Sequence, residues 1–243
     1  MVVDNYSPRS LSYDADRLPA ISGTAALFHQ RLNCRYLAGL WEAGLPWNLC
    51  WNVWSATLVG CAPAEYLAPT WSWASVSQSI RTGIALVTLG DGGRAEPSAT
   101  VLDVRCDVLG LNPFGRVASG HLRLRGRLVN AFLCGANTPN PTVKTSEGRA
   151  GWLIVVDCAL ALDPGGSLVR ANGDPSTAVD GTISCLLIGT LFPSDFNPVR
   201  HEALALVPSL SNPSAFCRVG RLWRKGEAGN LFDGAKKQEV LIL

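Results

Sequence analysis

Between Leu102 and Leu128 apolar and charged residues alternate with a period of two, and no other feature limits the fold as strongly. Leu102, Val104, Cys106 and Val108 are interleaved with Asp103, Arg105 and Asp107. After the turn Asn112-Pro113-Phe114-Gly115, Leu122, Leu124, Gly126 and Leu128 are interleaved with Arg123, Arg125 and Arg127. A helix would scatter these side chains around its axis, whereas a strand sends alternate residues to opposite faces. The pattern predicts two neighbouring half-buried strands that share a charged outer face. Strands are also predicted over 80–89, 152–157, 182–191, 202–207, 216–222 and 239–243, with breaker-rich loops over 138–151 and 163–180. Gly90-Asp91-Gly92-Gly93 reads as a hairpin turn, because it lacks the spacing of a phosphate loop. The expected fold is mainly β, of the α+β class. It is an antiparallel sandwich or barrel-like domain over 80–243, with N-terminal helices packed on it.

The N-terminal third is different. Residues 1–15 are polar and read as an arm or linker from a missing upstream region, and 16–79 as a helical, tryptophan-rich segment packed with the β domain. Pro19 suits a first helical turn, and Ile21, Ala25, Phe28 and Leu32 recur at helical spacing up to Asn33. His29 lies beside that stripe and reads as its polar flank. Six of the eight tryptophans, Trp41, Trp47, Trp51, Trp54, Trp71 and Trp73, fall between Tyr36 and Val76. Pro46 with Trp47, Cys50, Trp51 and Trp54 predicts a second helix with four side chains on one face. Trp71 to Val76 predicts a short strand with Trp71, Trp73 and Ser75 on one side. With Tyr66, these tryptophans form either a core or the lining of a pocket, since large aromatics serve both.

The same residues carry a resemblance. Tyr-Leu-Ala-Gly-Leu-Trp-Glu (Tyr36 to Glu42), Leu45-Pro46 and Pro-Ala-Glu-Tyr-Leu-Ala-Pro-Thr-Trp-Ser-Trp-Ala-Ser (Pro63 to Ser75) resemble the region downstream of the heterokaryon-incompatibility (HET) domain in fungal proteins. The similarity extends to Tyr6-Ser7-Pro8-Arg9 and to the segment from Asp16 to Gly23. It continues more loosely in Phe216-Cys217-Arg218-Val219-Gly220 and the C-terminus. Leu67 stands where the family commonly has arginine, and Thr70 replaces serine. The HET domain itself, with its own tryptophan motifs, has no counterpart here. The resemblance implies a non-catalytic accessory region, used in fungal non-self recognition and programmed cell death, whose partner is a protein or an upstream HET domain. HET-domain relatives resemble Toll/interleukin-receptor folds that attack nicotinamide dinucleotides, but no residue of that chemistry maps onto this chain.

Composition agrees with a folded globule, at 47% hydrophobic and 16% charged residues. A net charge of +2 gives no long-range field for nucleic acid or an anionic membrane, and no apolar run approaches the roughly 20 residues of a spanning helix. Eight scattered cysteines, Cys34, Cys50, Cys61, Cys106, Cys134, Cys158, Cys185 and Cys217, show no close pair, and His29, His121 and His201 stand apart. That is thiol usage of a reduced cytoplasm, with neither metal nor cofactor expected. No nucleophile elbow or metalloprotease motif occurs. Glu65 and Asp91 read as turn residues, and His201-Glu202 as a surface strand edge. Arg123, Arg125 and Arg127 form a candidate anion patch if they are not neutralised across the sheet. The alternative to an accessory module is an independent binding domain with a tryptophan-lined pocket for a small molecule or peptide.

Overall fold

The computed structural model describes residues 2–9, 11–54, 63, 65–82, 92–138, 140–145, 150–171, 179–194, 198–226 and 231–243, with backbone only at 150 and 151. The predicted strand beyond Thr82, Gly90 and Asp91 of the predicted turn, Cys61, and loop residues 146–149 and 172–178 lie outside the described residues.

The N-terminal residues are docked, not a free arm. Helix α1 (Val2–Tyr6) is held by Asp4, whose carboxylate accepts both the amide and the hydroxyl of Thr82 at 2.6 and 2.8 Å. Ser7 is buried and exchanges hydrogen bonds with the backbone of Ile80. Helix α2 (Ser22–Leu32) continues a 3-10 turn over Pro19–Ile21 and ends at Asn33, which takes a left-handed conformation at φ 47°. Of the predicted stripe only Ile21 and Ala25 are buried; Phe28 and Leu32 are exposed. A hairpin of β1 (Tyr36–Leu37) and β2 (Leu40–Trp41) follows.

The predicted tryptophan helix is replaced by a 3-10 turn, Trp47–Leu49, after a cis Leu45–Pro46 bond, and then by β3 (Asn52–Val53). Leu49 to Val53 are buried one after another, and no helix can hide five consecutive side chains on one face. Trp71 to Val76 is not a strand either: all six residues are buried, and Trp73–Ser75 is a 3-10 turn capped by Ser72. Strand β4 (Ile80–Arg81) pairs with β3.

From Arg94 onward the chain is β: β5 (Arg94–Pro97), β6 (Thr100–Val108), β7 (Val117–Cys134), β8 (Thr142–Lys144), β9 (Ala150–Val156), the hairpin β10 (Leu160–Leu162) and β11 (Leu168–Arg170), β12 (Gly181–Phe192), β13 (Arg200–Pro208), β14 (Phe216–Lys225) and β15 (Lys237–Ile242). The two predicted loops thus hold β8 and β11. β7 is long enough to serve two neighbourhoods. Its first half lies between β6 and β15, and its second half pairs with both β12 and β8. Hydrogen-bonded pairing runs antiparallel from β7 through β8, β9, β14, β13 and β12 and returns to β7.

β6 and β7 pair as the alternation predicts, with Asp103 opposite Arg123 and Arg105 opposite His121. A bulge between Val101 and Asp103 corrects the detail. It turns Val101 inward and leaves Leu102 exposed, and Val108 is exposed at the strand end.

β12 and β13 are buried on both faces. Ile183, Cys185, Leu187, Ala203, Ala205 and Val207 face one apolar cluster with Trp152, Val219 and Phe232. Leu186, Ile188, Leu204 and Leu206 face another, built with Trp51, Trp71, Trp73 and Leu124. The tryptophan segment is therefore a layer laid over this second face of the strands. α2 meets that layer rather than a sheet face: Ile21, Ala25 and Phe28 line one pocket with Trp41 and Trp73, and His29 stacks on Trp41.

Candidate functional site

Few of the described backbone groups between Tyr36 and Val76 join a ladder, so their carbonyls need other donors when buried. Side chains supply them. Ser72 Oγ donates to Ala38 O at 2.5 Å and Trp73 Nε1 to Gly39 O at 2.8 Å, which joins the hairpin β1–β2 to the turn at Trp73. Gly39 has φ +96°, and a Cβ there would stand 2.5 Å from Trp73 Nε1, so conformation and space both demand glycine. Trp51 Nε1 donates to Trp71 O at 3.0 Å. Thr70 donates its amide and hydroxyl to Leu243 O while its hydroxyl accepts from the amide of Arg218. Trp47 rests on Gly189 of β12, where a Cβ would come within 2.5 Å of its ring.

Arginines clamp the layer onto the sheet. Arg218 reaches Trp51 O at 2.6 Å with its guanidinium 3.3 Å from the Trp51 ring centroid, and Arg170 reaches Ser75 O at 2.8 Å. Arg17 donates to Ser77 O and Gln78 O. A guanidinium suits this task, because its fixed fork of donors stays charged and stacks on indole faces.

Two buried acids face these arginines. Glu202 is fully buried, which corrects its reading as a surface edge. Arg221 grips both its oxygens at 2.9 Å, Arg200 Nε lies 2.7 Å away, and Arg221 extends to Asn52 Oδ1 at 3.0 Å. The carboxylate sits in an otherwise apolar run because its two arginines compensate for the lost water. Asp157 lies 3.0 Å from Arg218 Nη2, misaligned for a hydrogen bond. Burial pushes its carboxyl up to about 6, against the pull of Arg218, and pulls Arg218 down to about 10. These charges are sealed between two layers.

The predicted site residues thus separate into three groups. Trp51, Trp71 and Trp73 are at most 1% exposed and belong to the core. Trp54 and Tyr66 are more than half exposed, and Arg81 stacks on Trp54. Trp41 and Trp47 are half-buried, and Trp41 and Trp73 line a common pocket. That pocket, of about 180 Å³, also takes in Phe28 and Tyr36.

Arg123, Arg125 and Arg127 are exposed on one face of β7. Across the two strands Asp103 meets His121 at 2.7 Å, and along β6 Arg105 pairs with Asp107 at 2.9 Å. Ser119 donates its hydrogen bond to Asp107 and not to His121, so the Ser, His and Asp side chains on this face do not form a relay. Glu65 is exposed. Cys50, Cys106 and Cys158 are pushed up to about 12, about 12 and about 11 by burial, and behave as small apolar side chains. Among the described residues, no three His, Cys, Asp or Glu side chains come together to hold a metal ion, and no helix is long and apolar enough to cross a membrane.

Sequence reasoning missed the buried ions. The available signal was a charge inside an apolar run: Glu202 precedes Ala-Leu-Ala-Leu-Val, and Arg218 and Arg221 lie within a strand of Cys, Val, Gly, Leu and Trp. A run that long is buried on both faces, so its charges need partners inside. Comparison of the chain with family models, with curated proteins and with solved structures finds no match in any of the three.

Proposed function

We propose that this chain is a non-catalytic accessory module of a HET-type protein, acting in the cytoplasm in fungal non-self recognition and programmed cell death, with a protein or an upstream HET domain as its partner. One observation carries the reading. The separate blocks that resemble the HET-associated region are bonded to one another: Tyr36 to Trp41 with Trp71 to Ser75 through Ser72 and Trp73, and Thr70 with Arg218 and the C-terminus. Their unusual residues act as joinery of one fold. The ring of pairings from β7 back to β7 supports a small closed barrel whose interior is filled by side chains, with the tryptophan layer on its outside.

The test fuses this chain behind a HET domain in a filamentous fungus and compares the death response with that of the domain alone. The module is expected to change the response, and Gly39→Val, which breaks the junction at Trp73, to remove the change. An identical response with and without the chain would overturn the reading. The purified chain is expected to turn over neither nicotinamide dinucleotide nor ester, peptide or glycoside substrates. Turnover abolished by one Asp, Glu, Ser or His substitution would replace the module with an enzyme.

A second reading, an independent binding domain, is favoured by the aromatic pocket beside Trp41 and Trp73.

A further inference from the structure

The pocket is walled by segments far apart in sequence. Val3 comes from α1, Ala25 and Phe28 from α2, Tyr36 and Trp41 from the β1–β2 hairpin, and Trp73 from the buried turn. Its walls are fixed without a ligand: Trp73 is bonded to Gly39 O, and Asp4 ties α1 to Thr82. Such preorganisation spares a ligand the cost of ordering its site.

Its chemistry narrows what can enter. No charged side chain lines it, so an ion would lose its water without gaining a counter-charge. Two of the polar groups in its wall, the Trp73 N–H and the Thr82 hydroxyl, already have acceptors. Four aromatic rings contribute, and rings attract a further ring edge-on or offset. Size narrows it again. The volume of about 180 Å³ is below the roughly 300–1,000 Å³ of sites for drug-sized ligands, and near the roughly 150 Å³ apolar cavity that takes up benzene.

Resting on the second reading above, we propose that this pocket binds a neutral, flat molecule of one aromatic ring, and neither an ion nor a peptide.

The experiment is ligand-observed NMR on the full chain with toluene, hexan-1-ol and a capped tripeptide, repeated on Ala25→Leu and Phe28→Ala. Ala25→Leu places a larger side chain in the pocket, and Phe28 is 42% exposed, so its truncation leaves the fold intact. Toluene is expected to bind with Kd about 1 mM, about tenfold more weakly after Ala25→Leu and about threefold more weakly after Phe28→Ala. If Ala25→Leu does not fold, Phe28→Ala decides. Hexan-1-ol binding in place of toluene, with the same sensitivity to the variants, overturns the aromatic class and leaves the pocket reading standing; tripeptide binding with that sensitivity does the same. Toluene binding that neither variant weakens, or no binding by any probe, overturns both.

Discussion

Asp157 should make the protein less stable as pH rises, the reverse of an ordinary ion-paired carboxylate. It follows β9, is 2% exposed, and has Arg218 at 3.0 Å without hydrogen-bond alignment. Burial outweighs that attraction and lifts its carboxyl from 3.8 to about 6. A folded-state value above the unfolded one means that the stability this group contributes is fully present below pH 3.8 and is lost as pH rises through about 6. The loss across that window is about 3 kcal/mol. Asn at this position keeps the shape and cannot ionise. Asp157→Asn should therefore gain about 3 kcal/mol on the wild type between about pH 3 and about pH 7. Urea melts of both proteins at several pH values measure this, and their difference cancels every other titrating group. A flat difference, or one moving toward the wild type as pH rises, would show that Arg218 holds the carboxylate ionised and that burial does not dominate.

Other substitutions probe the junction between the layers. Trp51→Ala removes a fully buried indole together with the face under Arg218 and should cost about 3–5 kcal/mol in denaturant melts. Glu202→Gln leaves Arg200 and Arg221 buried without a counter-charge and should cost about 3–5 kcal/mol, while the far-ultraviolet circular dichroism of the folded variant stays that of a β protein. Arg123→Ala, Arg125→Ala and Arg127→Ala change exposed side chains and should each move stability by less than about 0.5 kcal/mol.

How far the sequence discloses this fold depends on whether its residues answer to one face or two. β6 and β7 were legible because one face is wet, so alternation in the sequence maps onto alternation in space. Two register shifts escaped, near Leu102 and at Val108, since an extra residue in a ladder leaves no mark in composition. β12 and β13 are legible as apolar runs, but not as strands between two cores, which is why Glu202 reads as a surface residue in the sequence. The tryptophan segment was the least legible. Its carbonyls are satisfied by Ser72, Trp73, Arg218 and Arg170 from distant positions, and no period of 2 or 3.6 encodes such contacts. Trp41 and Trp73 meet at the pocket only because Gly39 and Asp4 fix the walls, a juxtaposition made by tertiary structure alone.

The central claim is that the tryptophan layer is part of the core. Hydrogen exchange at the indole N–H groups tests it most directly. Trp51 donates to Trp71 O and Trp73 to Gly39 O, both from fully buried positions, while Trp54 is 55% exposed. The indole protons of Trp51 and Trp73 should exchange only through global unfolding, with the same opening free energy as the amides of Leu204 and Leu206 in β13, while that of Trp54 exchanges freely. Rapid exchange at Trp51 and Trp73 while β13 stays protected would show a layer that opens by itself, and would contradict the claim.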